Sequence, residues 1–172
     1  WEVAMICNIG EVLIAPANIN DFDFYYQLKC EPESVYWSGY KSIPDREHLK
    51  EWFRTKVTLL AEKNCYRLYM VLFGSEKKQS GYISIYPHAS GEECCEIGIG
   101  ISKMFTNRGI GSESIRLAID ECRRLGYNRV FAYIREDNTR SKKMFMKVGF
   151  VQTGRAKSVW IENLECKIRM YE

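Results

Sequence analysis

Hydrophobic positions recur along the chain with the periods of strands and of helices. Stretches in which apolar and polar residues alternate, or in which apolar residues run together between turn residues, predict seven β-strands. These strands cover residues 11–15, 67–73, 79–86, 93–101, 129–134, 151–160 and 164–171. The short polar segment 74–78 separates the second strand from the third, which predicts a β-hairpin.

Apolar residues three or four positions apart predict four helices. The first is capped by Asn20 or Asp21, the second begins with Pro44 and reaches Leu60, the third covers residues 115–125, and the fourth covers residues 139–148. The aromatic segment 30–43 is expected to be a loop. Antiparallel strands come first and a strand–helix–strand crossover follows, so we expect a mixed α+β fold with helices on a central sheet. The 172 residues fit a single domain, residues 1–172.

Composition narrows the classes of function. The formal net charge of +3 is too small to indicate binding to nucleic acid or to a membrane surface. No apolar run approaches the ~20 residues that span a bilayer, and no secretory signal is visible. The seven cysteines are scattered without a C-x-x-C pair, which predicts a cytoplasmic protein with neither a disulfide framework nor a metal site.

A loop of small residues lies between the strand at 93–101 and the following helix. Its sequence is Thr106-Asn107-Arg108-Gly109-Ile110-Gly111-Ser112. Such a loop directs several backbone N–H groups to one point with the positive end of the helix behind them, which suits a pyrophosphate. A dinucleotide-binding fingerprint would need a third glycine where Ser114 stands, and a P-loop would need Gly-Lys-Ser/Thr after four spacers. Neither of these nucleotide motifs is present.

A second segment follows one strand later. It reads Asn138-Thr139-Arg140-Ser141, then Phe145 and Gly149-Phe150, and predicts a helix capped by Asn138 and closed by Gly149. The two segments in this order resemble the coenzyme-binding core of the GNAT family of N-acetyltransferases. That family's loop reads Gln/Arg-x-x-Gly-x-Gly/Ala, and its helix reads Asn-x-x-Ala/Ser-x-x-x-Tyr-x-x-x-Gly-Phe. The resemblance covers residues 93–150.

The resemblance implies a fold and a reaction. The fold would be a central, mostly antiparallel twisted sheet with a splayed parallel strand pair, flanked by about four helices. The protein would be an N-acetyltransferase, a monomer or homodimer that moves an acetyl group from acetyl-CoA to a primary amine by direct attack in a ternary complex. The order of hairpin and strand is most similar to the branch that contains ribosomal-protein N-terminal and spermidine acetyltransferases.

By the same resemblance, three groups of residues would bind the coenzyme. The residues are Ile99, Gly100 and Ile101 in the strand, Thr106, Asn107, Arg108, Gly109, Ile110, Gly111 and Ser112 in the loop, and Asn138, Ser141 and Phe145 in the helix. The strand would be bulged, which would explain Gly98 and Gly100, although close packing explains two strand glycines equally well. Thr106 replaces the family's Gln or Arg, and Phe145 replaces its usual proton-donating Tyr.

Attack by an amine on a thioester needs a base, because an ammonium has no lone pair. Glu96 stands where relatives often carry a glutamate that accepts the amine proton, and Glu93 is the neighbouring candidate. The structural alternative is that Glu96 is only a carboxylate on the solvent-facing side of the sheet. Tyr133 is a candidate to replace the missing tyrosine acid, or else a packed aromatic side chain. The two histidines, His48 and His88, are not tied to the site by their sequence context.

One cluster of residues outside the resemblance indicates what kind of amine the acceptor is. Tyr36, Trp37 and Tyr40 precede the second helix, where relatives build one wall of the acceptor cleft. Aromatic faces suit a sugar ring or a compact cation, and Glu31 and Glu33 would hold a cationic amine. We therefore expect a small amine such as an amino sugar or a polyamine. A protein N-terminus as acceptor and a non-catalytic acyl-CoA sensor remain the alternatives.

Overall fold

The computed structural model describes residues 11–58, 65–161 and 166–172. The helices are α1 (Phe22–Cys30), α2 (Pro32–Ser38), α3 (Arg46–Thr58), α4 (Ile110–Arg124) and α5 (Thr139–Lys147). The strands are β1 (Val12–Pro16), β2 (Arg67–Phe73), β3 (Lys78–Pro87), β4 (Cys94–Ile101), β5 (Arg129–Phe131), β6 (Ile134–Arg135), β7 (Ala156–Ile161) and β8 (Cys166–Tyr171). The predicted end of the second helix at Leu60 and the predicted start of the last strand at Leu164 lie outside the described residues.

The strands form two sheets, which confirms the predicted mixed fold. The first sheet has the order β1-β2-β3-β4-β5, antiparallel except for the pair β4 and β5. The second sheet has the order β6-β8-β7 and is antiparallel. The parallel pair extends only from Cys94 opposite Arg129 to Glu96 opposite Phe131. Beyond that point the chain enters β6 of the second sheet, so the two strands splay apart.

Helices cover both faces of the first sheet. On one face α4 packs with a stripe of buried apolar side chains, which are Ile110, Ile115, Leu117, Ala118 and Cys122. On the other face α1 and α3 bury Phe22, Tyr25, Phe53 and Val57 against Leu68 and Met70 of β2. Apolar burial on both faces is the main stabilising contribution to such a layered fold. Among the described residues, no helix is long and apolar enough to cross a membrane.

The segment predicted as a loop between residues 30 and 43 contains the helix α2, so this prediction is wrong. Pro32 occupies the start of α2, and Gly39 ends it with a left-handed φ of 79°. These are ordinary helix signals, proline in the first turn and glycine just past the last. Because the segment is short, these signals did not lead to the prediction of a helix. The described part of the chain therefore has five α-helices rather than about four.

Several predicted boundaries also move, and the third predicted helix, α4, begins at Ile110 rather than at residue 115. Helix α3 begins at Arg46 rather than Pro44, because the Asp45 side chain accepts a hydrogen bond of 2.8 Å from the His48 N–H and acts as the cap. The strand predicted over 129–134 splits into β5 and β6, which belong to different sheets. Strand β7 begins at Ala156 rather than Val151, because the chain turns at Gly154 with a φ of 81°.

Candidate functional site

A cavity of about 590 Å³ lies where β4 separates from β5. Its walls are the open part of β4, the loop before α4, the first turn of α4, residues 132–135, helix α5, and parts of α1 and α2. The predicted coenzyme-binding residues that line it are Ile99, Gly100, Ile101, Thr106, Asn107, Gly109, Gly111, Ser112, Asn138, Ser141 and Phe145. The structure therefore brings most of the three predicted groups to one place.

Two of the predicted loop residues lie outside this lining. Ile110 is 1% exposed and packs in the core beneath α4. The guanidinium of Arg108 lies 5.8 Å from the ring centroid of Phe105 on the exposed side of the loop. The hydroxyl of Thr106 donates a hydrogen bond of 2.9 Å to the Lys103 carbonyl, so its proton is already engaged within the loop.

The backbone of the glycine loop has an unusual conformation. Asn107 and Gly109 both adopt left-handed φ angles, 62° and 77°, and Gly109 directly precedes α4. The first N–H groups of a helix have no carbonyl four residues earlier to bind. The N–H groups of Ile110, Gly111 and Ser112 therefore stand at the positive end of α4, a geometry that suits an anionic group.

Strand β4 is glycine-rich because of close packing rather than a bulge. Its register with β3 runs without interruption from Gly81 opposite Ile101 to Pro87 opposite Cys95, so the bulge that the resemblance implied is wrong for this pairing. A Cβ on Gly98 would lie 2.7 Å from Ser84 Oγ, and one on Gly100 would lie 2.4 Å from the Tyr82 ring. Both distances are shorter than side chains tolerate.

Helix α5 is fixed at its start and against α4. The side chain of Asn138 accepts a hydrogen bond of 3.0 Å from the Ser141 N–H, which is the predicted cap. Gly111 lets the two helices approach, because a Cβ there would lie 2.6 Å from Met144 Sδ. Phe145 is 4% exposed, and its ring packs edge-on against Phe150 at 5.0 Å between centroids.

The predicted base, Glu96, lies beside the cavity rather than in its lining. The first residue of β4 that lines the cavity is its neighbour Ile97. Its Oε1 accepts a hydrogen bond of 2.5 Å from the Tyr86 hydroxyl, directly across the β3–β4 pair. Loss of hydration and this contact with the carboxylate raise the pKa of Tyr86 above its ordinary value.

Tyr133 lines the cavity and lies within a polar cluster. Its hydroxyl donates a hydrogen bond of 3.0 Å to Glu172 Oε2 and lies 3.2 Å from His88 Nε2. Burial, followed by the Glu172 and Glu96 carboxylates, raises the pKa of Tyr133. His88, which sequence context left unconnected, therefore touches a predicted site residue. His88 contacts Tyr133 because the connection between β3 and β4 packs beside β5. No sequence motif predicts that contact.

Helices α1 and α2 form the opposite wall of the cavity, but only part of the predicted aromatic cluster faces it. Trp37 lines the cavity, whereas Tyr36 and Tyr40 are 39% and 44% exposed. The rings of Tyr36 and Trp37 lie 4.9 Å and 5.0 Å from the guanidinium of Arg135. A buried arginine therefore occupies the aromatic faces that we expected to meet a substrate.

Glu31 and Glu33, expected to hold a cationic amine, both line this wall. Glu31 accepts hydrogen bonds of 2.6 Å from Ser102 Oγ and 2.9 Å from the Lys103 N–H. Glu33 pairs with Arg140 at 3.4 Å and Lys103 at 4.0 Å. Both carboxylates are thus engaged within the chain. No cluster of three or more potential metal ligands occurs in the part of the chain that the structure describes.

Comparison with known proteins identifies the class to which this fold and cavity belong. The family described as acetyltransferase (GNAT) domain matches residues 11–151. The chain therefore belongs to the GNAT family of acetyltransferases and is an acyltransferase, as its two motifs predicted. None of the curated proteins compared with the chain matches it significantly.

Solved structures of this family have the same fold. A GNAT acetyltransferase from Bacillus anthracis is 18% identical, with a TM-score of 0.80 over 97% of this chain and 96% of its own. The ribosomal L7/L12 alpha-N-protein acetyltransferase RimL is 16% identical, with a TM-score of 0.78 over 97% and 92%. Spermidine N-acetyltransferase from Vibrio cholerae, solved with CoA and spermine, is 16% identical, with a TM-score of 0.78 over 94% and 95%. At these identities the likeness concerns the fold alone.

Proposed function

We propose that the protein transfers an acetyl group from acetyl-CoA to the primary amine of a small acceptor. One observation carries this proposal: the glycine loop, the open part of β4 and the Asn138 helix all face a single cavity. The loop and the first turn of α4 would hold the pyrophosphate through backbone N–H groups. The backbone of residues 99–101, beyond the end of the β4–β5 pairing, would bind the pantetheine arm and the thioester.

The chemical step needs three contributions from the chain. The amine nitrogen attacks the thioester carbonyl carbon, and a backbone N–H of β4 stabilises the oxyanion that forms. Glu96 takes the proton that leaves the amine, directly or through water. The carbon–sulfur bond then breaks, and the Tyr133 hydroxyl donates a proton to the departing thiolate. Phe145 cannot donate this proton, which is why the role is assigned to Tyr133.

The acceptor would be small because α1 and α2 close the cavity on the side opposite α4. Trp37, Ser38 and Lys29 line that wall, and we expect them to limit the room for an extended peptide. An acyl-CoA sensor is the second candidate, favoured by Phe145 at the position of the usual acid. RimL and spermidine N-acetyltransferase, which share the fold, act by their names on a protein N-terminus and a polyamine respectively.

Two measurements on the purified protein test the proposal. Acetyl-CoA should raise the unfolding temperature with a concentration dependence set by RT ln(1 + [L]/Kd). Thiol release from acetyl-CoA should then accelerate when a small primary amine is added. Stabilisation by acetyl-CoA without amine-dependent thiol release would favour the sensor, and faster release with N-terminal peptides would favour a protein acceptor. No stabilisation by acetyl-CoA would contradict the proposal.

A further inference from the structure

Lys29 of α1 lines the cavity, and the contacts of its ammonium group are with neutral side chains. Its Nζ lies 3.5 Å from Ser38 Oγ and 3.5 Å from Tyr82 Oη. It also lies 5.4 Å from the ring centroid of Tyr82 and 6.0 Å from that of Tyr25. Within the described ranges, none of the ion pairs involves Lys29. A half-buried ammonium held only by hydroxyls and rings suits an incoming anion.

The acidic groups of the same wall point to the same conclusion. Glu31 is held by Ser102 and by the backbone of Lys103, and Glu33 pairs with Arg140. A cationic acceptor would have to displace these partners and would also bring a second positive charge toward Lys29. Like charges at close range in a poorly hydrated site repel strongly.

We propose that the acceptor carries an anionic group, a carboxylate or a phosphate, beside its primary amine and that Lys29 binds this group. The inference rests on the proposed acetyl transfer and names the substrate class of that same site. Tyr82 lies between the two positions at which the acceptor would bind. Its hydroxyl is next to Lys29, and its ring packs over Gly100, which belongs to the β4 segment assigned to the thioester. Lys29 above that ring would hold the anion while the amine faces β4, and the hydroxyls of Ser38 and Tyr82 add two donors.

The test uses acceptors that differ only in the anionic group. An amino acid is compared with its amide and its decarboxylated amine, an amino sugar with its phosphate ester, and spermidine serves as the polycation. We expect the anionic member of at least one pair to have the higher kcat/KM. Whether the carboxylate or the phosphate pair shows the preference identifies the source of the anion.

Lys29→Met removes the charge and keeps the length of the side chain. It should raise the KM of the anionic acceptor by about 10- to 100-fold, the range for losing a hydrogen bond to a charged group. The KM of the uncharged partner and the stabilisation by acetyl-CoA should not change. Lys50→Met, an exposed position on α3 outside the cavity, is the matched control and should leave all of these values unchanged.

The possible outcomes separate this inference from the proposed function. Turnover of amides or spermidine at least as efficient as that of the anionic amines would overturn the anionic acceptor but leave acetyl transfer standing. An unchanged KM in Lys29→Met would do the same. Acetyl-CoA binding with turnover of no amine in the panel would overturn both the inference and the transfer reaction. Lys29→Arg, which keeps the charge, should restore most of the preference.

Discussion

Tyr133 and Glu172 are joined by a hydrogen bond of 3.0 Å in which the phenol is the donor. The direction of the hydrogen bond between His88 and Tyr133 follows from a contact that His88 makes with the backbone of Ser90. The Ser90 N–H donates to His88 Nδ1 at 3.2 Å, so the neutral imidazole carries its proton on Nε2, which faces Tyr133 Oη at 3.2 Å. The bonds therefore run in one direction, from His88 through Tyr133 to Glu172.

Tyr133→Phe tests the assigned acid. Removing the hydroxyl should lower kcat by about 10²- to 10⁴-fold, the usual contribution of a positioned acid, and leave the Kd of acetyl-CoA nearly unchanged. The pKa of Tyr133 is raised by burial and by the Glu172 and Glu96 carboxylates. The phenol therefore stays protonated at every pH below the ordinary tyrosine pKa of about 10. Its ionisation should cause no decline in rate below that pH.

The control for this substitution is Tyr69→Phe. Tyr69 also donates to a carboxylate, Glu121 Oε1 at 2.6 Å, but it belongs to the core beneath α4 and not to the cavity. It should lose stability without losing a specific step of the reaction. Equal kcat values for Tyr133→Phe and the parent, measured by thiol release, would show that Tyr133 is a packed aromatic side chain.

Glu96→Gln tests the assigned base. It should lower kcat at neutral pH, keep the affinity for acetyl-CoA, and regain part of the rate at alkaline pH, where the acceptor amine loses its own proton. Glu93→Gln is the control, because the Glu93 carboxylate accepts its hydrogen bond from the side chain of Asn128, whereas Glu96 accepts one from the Tyr86 hydroxyl. A larger loss in Glu93→Gln than in Glu96→Gln would transfer the role to the neighbouring carboxylate.

Local sequence signals predicted the parts of the site that depend on backbone conformation. Asn138 was assigned correctly to a helix cap, because that role depends on nearby residues, and Gly109 of the predicted loop adopts a left-handed φ that glycine tolerates. The order of strands and helices then placed the two segments in one fold. Whether each predicted site residue acts in the reaction remains a prediction.

The contacts that sequence could not predict are those made across the fold. Arg135 reaches α2, about a hundred positions earlier, and donates to the Tyr36 carbonyl at 2.9 Å. His88 meets Tyr133 only because β3 and β5 flank the same strand. The splitting of β5 from β6 likewise depends on β8 competing for the second half of the predicted strand. Each of these outcomes is decided by tertiary pairing, which no local pattern encodes.

Gly109→Val tests the coenzyme loop. A valine at this left-handed position is strained, and its side chain would project where the pyrophosphate is expected. Gly126→Val is a close control, because Gly126 follows the other end of α4, has a φ of 88°, and likewise has no heavy atom within 4 Å of a built Cβ. Both variants should lose a similar free energy of unfolding. Only Gly109→Val should lose the stabilisation by acetyl-CoA, and equal stabilisation of both variants would contradict the loop assignment.

The packing explanation for Gly98 predicts an energetic coupling with Ser84. Gly98→Ala alone should destabilise the protein by about 1–3 kcal/mol, because its Cβ would lie 2.7 Å from the Ser84 hydroxyl oxygen. In a Ser84→Ala background that oxygen is absent, and the same substitution should cost much less. Urea unfolding of the four proteins in this double-mutant cycle measures the coupling, and additive effects would mean that Gly98 has another role.

The ion pair of Arg135 with Asp137 predicts a pH dependence of stability. The Arg135 side chain is 3% exposed, and its Nη2 lies 2.7 Å from Asp137 Oδ2. The hydrogen bond from Arg135, followed by its charge, lowers the pKa of Asp137, with burial acting in the opposite direction. A lowered pKa means that the contribution is complete above the unfolded value of about 3.9 and is lost as the pH falls through the folded value.

Asp137→Asn should therefore cost about 1–2 kcal/mol at neutral pH, a value reduced from that of a buried pair because the carboxylate is partly exposed. This difference from the parent should shrink in urea unfolding curves as the pH falls below about 3.9 and then through the lowered folded pKa, since Asp137 is protonated in both states only below that folded value. Asp23→Asn is the control, since Asp23 pairs with Arg46 at 2.5 Å but its side chain is 74% exposed. Solvent screens that pair, so its loss should change the free energy of unfolding little at any pH. A difference for Asp137→Asn that stays constant from neutral to acidic pH would assign its effect to packing rather than to charge.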